Sequence, residues 1–308
     1  MTAPVTVGVD HVDLSVRSVQ GGPPMSDPAG DHLAEIGPFC LDPSDMLTLA
    51  VTFPYHHQAL SGAVNRIRSI VDSNKFVILD TRASCNTKEQ FRALCVGIGT
   101  QLGELAVQNA EGAHVIEVYD RRIGRIEDGV RYHQTRQAGE IHTDSVNHPT
   151  AFRYLLLGCV APALLGGESI IVPASRVRSA LDSFPNVLET LRRPFWFEGR
   201  GMGADVQFFQ LPVLSEDDGS VRFRYLRSYI EAAHVKVGQP LTSEQVFAFD
   251  ALDAVLQSSP LQRRFTLESG HLLICSDTEV FHGRTAFLDG TKAGAWASQR
   301  HMLRLWVN

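Results

Sequence analysis

The sequence predicts an α+β fold in which a β-rich barrel or sandwich is entered through a helical layer. Three observations carry this. From His114 onward, short β-type runs recur between turn signals; before it, two helical patterns flank one apolar strand; and between about residues 175 and 260, helical patterns interrupt the β texture.

In chain order, residues 21–30 are polar and rich in Gly and Pro, the composition of a loop. His56 to Val71 repeats apolar residues at helical spacing and leads into Phe76-Val77-Ile78-Leu79-Asp80, which reads as a short buried strand. Thr87-Lys88-Glu89-Gln90 is a capping box, in which the Thr hydroxyl and the Gln side chain satisfy amides that a first helical turn leaves unpaired. It opens a helix running to about Gly103. The strands expected beyond it are His114–Tyr119, Phe152–Val160, Ser169–Val172, Val206–Leu211, Val221–Tyr225, Leu272–Cys275 and His301–Val307. The helices expected in the interruption are Ser175–Ser183, Asn186–Arg192 and Thr242–Gln257, the last with a second capping box in Thr242 and Gln245. The organisation expected is one domain over residues 1–308: a helical support layer over 1–113, then a β core over 114–308 with an insertion at about 175–260.

At 308 residues and 44% hydrophobic content the chain can fill a large core. Its net charge of −6 is spread along the chain with no basic stripe, which excludes nucleic acid as a partner class. Cys40, Cys85, Cys95, Cys159 and Cys275 have no CxxC pairing and an odd count, so they read as reduced thiols of a cytoplasmic protein. The first residues lack the charged and apolar regions of a secretory signal, and the longest apolar stretch, Tyr154 to Leu165, is broken by Gly158 and Pro162 and is too short to span a bilayer. No membrane partner is expected, and no pattern fixes an oligomeric state.

His142-Thr143-Asp144 sets an imidazole and a carboxylate two residues apart, on one face if the chain is extended there. The triplet alone is weak: 12 histidines and 34 acids in 308 residues give about one such match by accident, and His11-Val12-Asp13 is a decoy of that kind. His142 opens the β-rich half, whereas His11 runs into the Gly/Pro-rich loop. A third ligand is offered by His282, in Phe281-His282-Gly283-Arg284 near the far end of that half. Two His and one carboxylate with open positions is the facial arrangement of non-haem iron(II) oxygenases. On the closing strand Gln299 to Val307, Arg300, Met302, Arg304 and Trp306 alternate with His301, Leu303, Leu305 and Val307. Arginines on an inner face would meet an anion there; the alternation equally allows both to face solvent or to pair with acids.

The order His142-Thr143-Asp144, Gly166-Gly167-Glu168-Ser169, His282-Gly283-Arg284-Thr285-Ala286-Phe287, Arg300 and Arg304 resembles the taurine dioxygenase and clavaminate synthase-like family, over roughly Ile141 to the C-terminus. The resemblance implies a double-stranded β-helix, a jelly-roll, cupin-like core with flanking helices. It implies iron(II) held by His142, Asp144 and His282, and 2-oxoglutarate held at its distal carboxylate by Ser169 and Arg300. Arg304 would meet an anionic group of the substrate. The implied activity consumes 2-oxoglutarate and dioxygen to oxidise a small molecule. With Asp144 present as a ligand, hydroxylation of an unactivated C–H is expected rather than halogenation. The expected substrate bears a carboxylate, as an amino acid or an amino-acid-derived natural-product intermediate would. Two departures stand out: Ser169 where the family more often has Thr, and a longer gap from His282 to Arg300, read as a loop insertion over Leu288 to Gly294.

Rival readings are a zinc hydrolase on the same three ligands and a non-enzymatic β-barrel binding protein. The paired C-terminal arginines disfavour the first and the intact ligand set the second. His56, His57, His133 and His148 could ligate a metal on paper but read as surface or core residues, and Gly199-Arg200-Gly201-Met202-Gly203 reads as a loop, not a phosphate cradle.

Overall fold

The computed structural model describes residues 46–50, 55 and 57–308, except 129, 200–206, 218 and 291–298. The Gly/Pro-rich loop, His11, His56, the 200–203 glycines and most of the insertion before Arg300 lie outside the described residues.

The first part supplies β1 (Met46–Thr48), α1 (His57–Asn74), β2 (Phe76–Asp80) and α2 (Lys88–Leu102). α1 buries Leu60, Val64, Ile67 and Val71, a stripe at three- and four-residue spacing, and ends at Lys75, whose φ of 70° turns the chain into β2. α2 is capped by the Thr87 hydroxyl, which accepts from Gln90 N; the reciprocal bond from the Gln90 side chain reaches the amide of Asn86, one residue earlier than a full capping box requires.

The β core continues with β3 (Ile116–Val118), β4 (Tyr154–Ala161), β5 (Leu165–Gly166) and β6 (Ser169–Pro173). The excursion then runs through α3 (Ala174–Ala180), α4 (Pro185–Arg192), the hairpin β7 (Pro194–Glu198) and β8 (Phe208–Pro212), the hairpin β9 (Leu214–Asp217) and β10 (Ser220–Phe223), α5 (Arg227–Lys236) and α6 (Ser243–Gln257). α6 carries the complete Thr242–Gln245 capping box. The chain closes with β11 (Arg263–Phe265), β12 (His271–Ser276), β13 (Val280–Arg284), β14 (Phe287–Leu288) and β15 (His301–Val307).

The large sheet has the order β1-β2-β12-β4-β15-β3, antiparallel except for β1 beside β2. The small sheet is β11-β6-β13, antiparallel throughout. Alternation decides what each face meets. In the large sheet Val77, Leu79, Leu156, Leu272, Ile274, Leu303 and Leu305 pack on α1 and α2. Their neighbours Phe76, Ile78, Leu155, Leu273, Cys275, Met302 and Trp306 face inward and meet Ile171 and Val280 of the small sheet. On that sheet's other face, Ile170, Val172 and Phe281 pack on the excursion. The result is a two-sheet sandwich coated with helices on both outer faces, and strands buried on both sides explain the uninterrupted apolar runs.

Two expectations need correcting. The N-terminal part is not only a support layer, because β2 sits inside the large sheet between β1 and β12. The excursion also contains α5, which the sequence reading left out: its apolar residues form no clean stripe, and only Ile230, Ala233 and His234 are buried.

Candidate active site

His142 and His282 form an isolated antiparallel bridge, each amide donating to the other's carbonyl at 2.9 and 2.8 Å. That pairing sets the two imidazoles side by side, with ring centroids 4.4 Å apart. Thr143 is extended (φ −113°, ψ 152°), so His142 and Asp144 share a face, and the chain turns immediately into a 3-10 helix, Asp144–Asn147. Asp144 Oδ1 lies 3.6 Å from His142 Nε2, and Oδ2 lies 3.7 Å from His282 Nε2. All three side chains are buried, with ligand atoms within 4.8 Å of one another, the one such cluster among the described residues.

The surroundings fit a cation here. His142 Nδ1 is tied to the Glu140 carbonyl at 2.8 Å, which keeps the proton on Nδ1 and presents the Nε2 lone pair to a metal. Trp306 Nε1 donates to Asp144 Oδ2 at 2.8 Å, and Asp277 Oδ1 accepts the Asp144 amide at 2.9 Å. Burial alone would raise the Asp144 carboxyl, but Arg304, His282 and His142 outweigh it and hold the group well below the usual carboxylate range. Burial, then the neighbouring His142, pushes His282 down to about 3, so it stands neutral, as a ligand must. The donor set of two imidazoles and one carboxylate, opening on a cavity among the described residues, suits an iron(II) ion bound facially.

The cavity over the three ligands lies between the sheets. Ser169 and Arg284 line it, as do Arg300, Met302 and Arg304, with Tyr132 and His133 on a 3-10 turn before His142. Inward alternation of β6, β13 and β15 brings most of these groups to one space. Arg300 is 5% exposed and precedes β15 rather than lying on it, its amide donating to Asp289 Oδ1 at 2.7 Å. A register shift between His301 and Met302 lets the chain turn there while Met302, Arg304 and Trp306 keep the inward face. Burial, then the nearby Arg284, pushes the Arg300 guanidinium down to about 10. The Gly166-Gly167 pair is needed for this wall: both have φ near +70°, and a Cβ on Gly167 would stand 3.0 Å from Arg300 Nε.

Arg304 does not pair with Asp277 or Glu279. Its Nε donates to Gln108 Oε1 at 2.9 Å, its Nη1 lies 3.5 Å from Asp144 Oδ1, and its Cζ stacks 4.2 Å above the Trp306 ring. Asp277 instead clamps the Asp144 turn, also bonding the Ser145 hydroxyl, and Glu279 pairs with Lys75 at 3.0 Å.

The structure thus brings His142, Asp144, His282, Ser169, Arg300 and Arg304 to one cavity. Sequence reasoning passed over Arg284, Tyr132, Trp306 and Asp277 and set His133 aside. Arg284 carried a usable signal, being two residues from His282 on a strand; Tyr132 and His133 sit in a single 3-10 turn, Tyr132–Gln134, too short for a period to read. His133 is pushed down to about 3 by burial and then by Arg304. His148 packs edge-on against Phe152, outside the ligand cluster.

A family model described as "Taurine catabolism dioxygenase TauD, TfdA family" matches residues 43–306. The chain is 25% identical to FR-33289 synthase of Streptomyces rubellomurinus over 216 residues, 68% of this chain and 62% of that one, so the match spans less than two thirds of the relative's length. In fold it is similar to an asparagine oxygenase solved with Fe(II), a 3-hydroxyasparagine and succinate (TM-score 0.61, 17% identity, 81% and 79% of the two chains). It is similar also to the PvcB protein of Pseudomonas aeruginosa (TM-score 0.57, 18% identity, 86% and 87%).

Proposed function

Because the chain belongs to the TauD, TfdA family of dioxygenases, we propose that it is an iron(II)- and 2-oxoglutarate-dependent oxygenase that hydroxylates a small carboxylate-bearing molecule, an amino acid or a natural-product intermediate derived from one. One observation carries the reading: three metal-type ligands converge at one end of a buried cavity whose wall carries Ser169 and Arg300. In this reading the two sheets are the halves of a double-stranded β-helix, and buried free thiols at Cys85, Cys95, Cys159 and Cys275 support a cytoplasmic setting. Among the described residues no helix is long and apolar enough to cross a membrane.

His142, Asp144 and His282 would hold the iron, with Trp306 and the Glu140 carbonyl fixing ligand orientation. When bound, iron with 2-oxoglutarate and dioxygen supplies the oxidant: one oxygen atom enters a substrate C–H bond, and the other leaves in succinate as carbon dioxide is released. Ser169 and Arg300 would grip the distal carboxylate of 2-oxoglutarate, a bidentate partner for a guanidinium. The substrate would enter past His133 and Arg304. Arg304 Nη1 lies 3.5 Å from Asp144 Oδ1, so the guanidinium would steady the metal ligand while taking a substrate carboxylate. The asparagine oxygenase similar in fold holds a hydroxylated amino acid, which supports this substrate class.

The test is oxygen uptake and succinate formation by the iron-loaded protein across a panel of amino acids and their acylated derivatives. Succinate that appears only with 2-oxoglutarate, iron and a substrate is expected; turnover with zinc and no 2-oxoglutarate would point to hydrolysis.

A further inference from the structure

Arg284 is a buried cation that pairs with no acid among the described residues. It is 5% exposed, stands directly opposite Ser169 in the ladder of β13 with β6, and lines the same cavity as Arg300. One arm has a structural use: Nη2 donates to the carbonyls of Tyr132 and Thr135 at 3.2 and 2.6 Å. The guanidinium plane is held between two rings, its Cζ 4.5 Å from the centroid of Tyr132 and 4.8 Å from that of Phe287. Nε and Nη1 are buried and meet no hydrogen-bond partner among the described residues.

Arg300 lies over the same Phe287 ring, at 5.2 Å. Two buried guanidiniums thus share one aromatic wall. Asp144, the carboxylate of this cavity, is engaged by Trp306 and Arg304. Adjacent buried like charges with unused donors are tolerable only if an anion meets them. Tyr132 and Phe287 hold the guanidinium plane of Arg284 between them, so the group is positioned before any ligand arrives.

The geometry points to Arg284 as a second guanidinium on the distal carboxylate of 2-oxoglutarate, sharing it with Arg300 and Ser169. This rests on the reading of 2-oxoglutarate as cosubstrate. The expected consequence is strong selection for a keto acid with a carboxylate at its far end.

The experiment titrates the protein, loaded with manganese(II) in place of iron, with 2-oxoglutarate and separately with 2-oxopentanoate, which keeps the keto acid end and has a methyl group where the distal carboxylate was. Binding is read by calorimetry, without turnover. Arg284→Gln is expected to weaken 2-oxoglutarate by about 10- to 100-fold and to leave 2-oxopentanoate within about twofold, the scale of a buried charge-assisted hydrogen bond. Arg284→Lys keeps the charge and serves if the Gln variant is unfolded by circular dichroism; a smaller loss, again confined to 2-oxoglutarate, is expected. Equal weakening of both acids, or no change for either, overturns the inference, since Arg284 would then support the fold alone. A wild-type protein that binds the two acids equally overturns the Arg300 and Ser169 reading as well.

Discussion

At the scale of single residues, ligand atoms and the groups that hold them have separable roles. His142→Ala, Asp144→Ala and His282→Ala are each expected to abolish iron binding and turnover with the fold retained, checked by metal titration and circular dichroism. Trp306→Phe keeps the ring that stacks on Phe152 and deletes the single donor to Asp144 Oδ2. It is expected to weaken iron affinity by about 10- to 100-fold, the usual cost of losing a group that orients a ligand; unchanged affinity would mean that the indole only packs. Arg300→Ala should raise the 2-oxoglutarate requirement by about 10- to 150-fold and Ser169→Ala by less, measured as the half-saturating concentration for succinate formation. The proximity of His142 and Asp144 was legible in the sequence because alternate residues on extended chain share a face, but that spacing is common by accident. The choice of this pair over His11 and Asp13, with His282 as third member, rested on context and on the family resemblance. Trp306 and Asp277 were not legible as ligand supports: one bonds Asp144 from across the sandwich and the other from the β12–β13 turn, contacts only the folded chain creates.

At the scale of elements, the turn from β5 into β6 carries more than connection. Gly166 and Gly167 both occupy the left-handed region, and Gly167 also leaves the space through which Arg300 passes. Gly167→Ala is therefore expected to cost about 1–2 kcal/mol of stability from backbone strain and, in addition, to raise the 2-oxoglutarate requirement. Thr242→Ala, which removes a helix cap remote from the cavity, should cost about 1 kcal/mol and leave that requirement unchanged. Thermal unfolding and steady-state assays on the two variants separate strain at the wall from general loss of stability. A capping box made α6 readable from sequence, and short apolar runs did the same for β4, β12 and β15. β11, with the sequence Arg-Arg-Phe, and β13, with a histidine and an arginine at its inward positions, were hidden because polar residues occupy the places where apolar ones would have signalled a strand.

At the scale of the whole molecule, the polar cavity inside the sandwich ties stability to pH. His133 is held to about 3 when folded, against about 6.5 in an unfolded chain. The folded state thus favours the neutral ring: its contribution is complete above pH 6.5 and is lost as pH falls from there toward 3. Asp277, raised to about 6 by burial and by Asp144, acts in the opposite sense, gaining a proton more readily folded than unfolded. The metal-free protein is expected to lose stability from pH 6.5 to 4.5, and His133→Gln to lose less over the same interval. Equal slopes in the two melting series would exclude His133 as a source of the acid limb.

The position of β2 has a consequence for how the chain can be made and cut. This strand is synthesised early, yet one of its two neighbours, β12, is synthesised late. Until β12 arrives, β2 presents an unpaired edge, and Phe76 and Ile78 have no opposing sheet to cover them. A ribosome-bound or truncated chain ending before β12 therefore exposes a sticky template for pairing with other chains. Residues 46–113 cannot be treated as a detachable prefix: expressed alone they should aggregate, and the remainder expressed without them should leave β12 with a bare edge of its own.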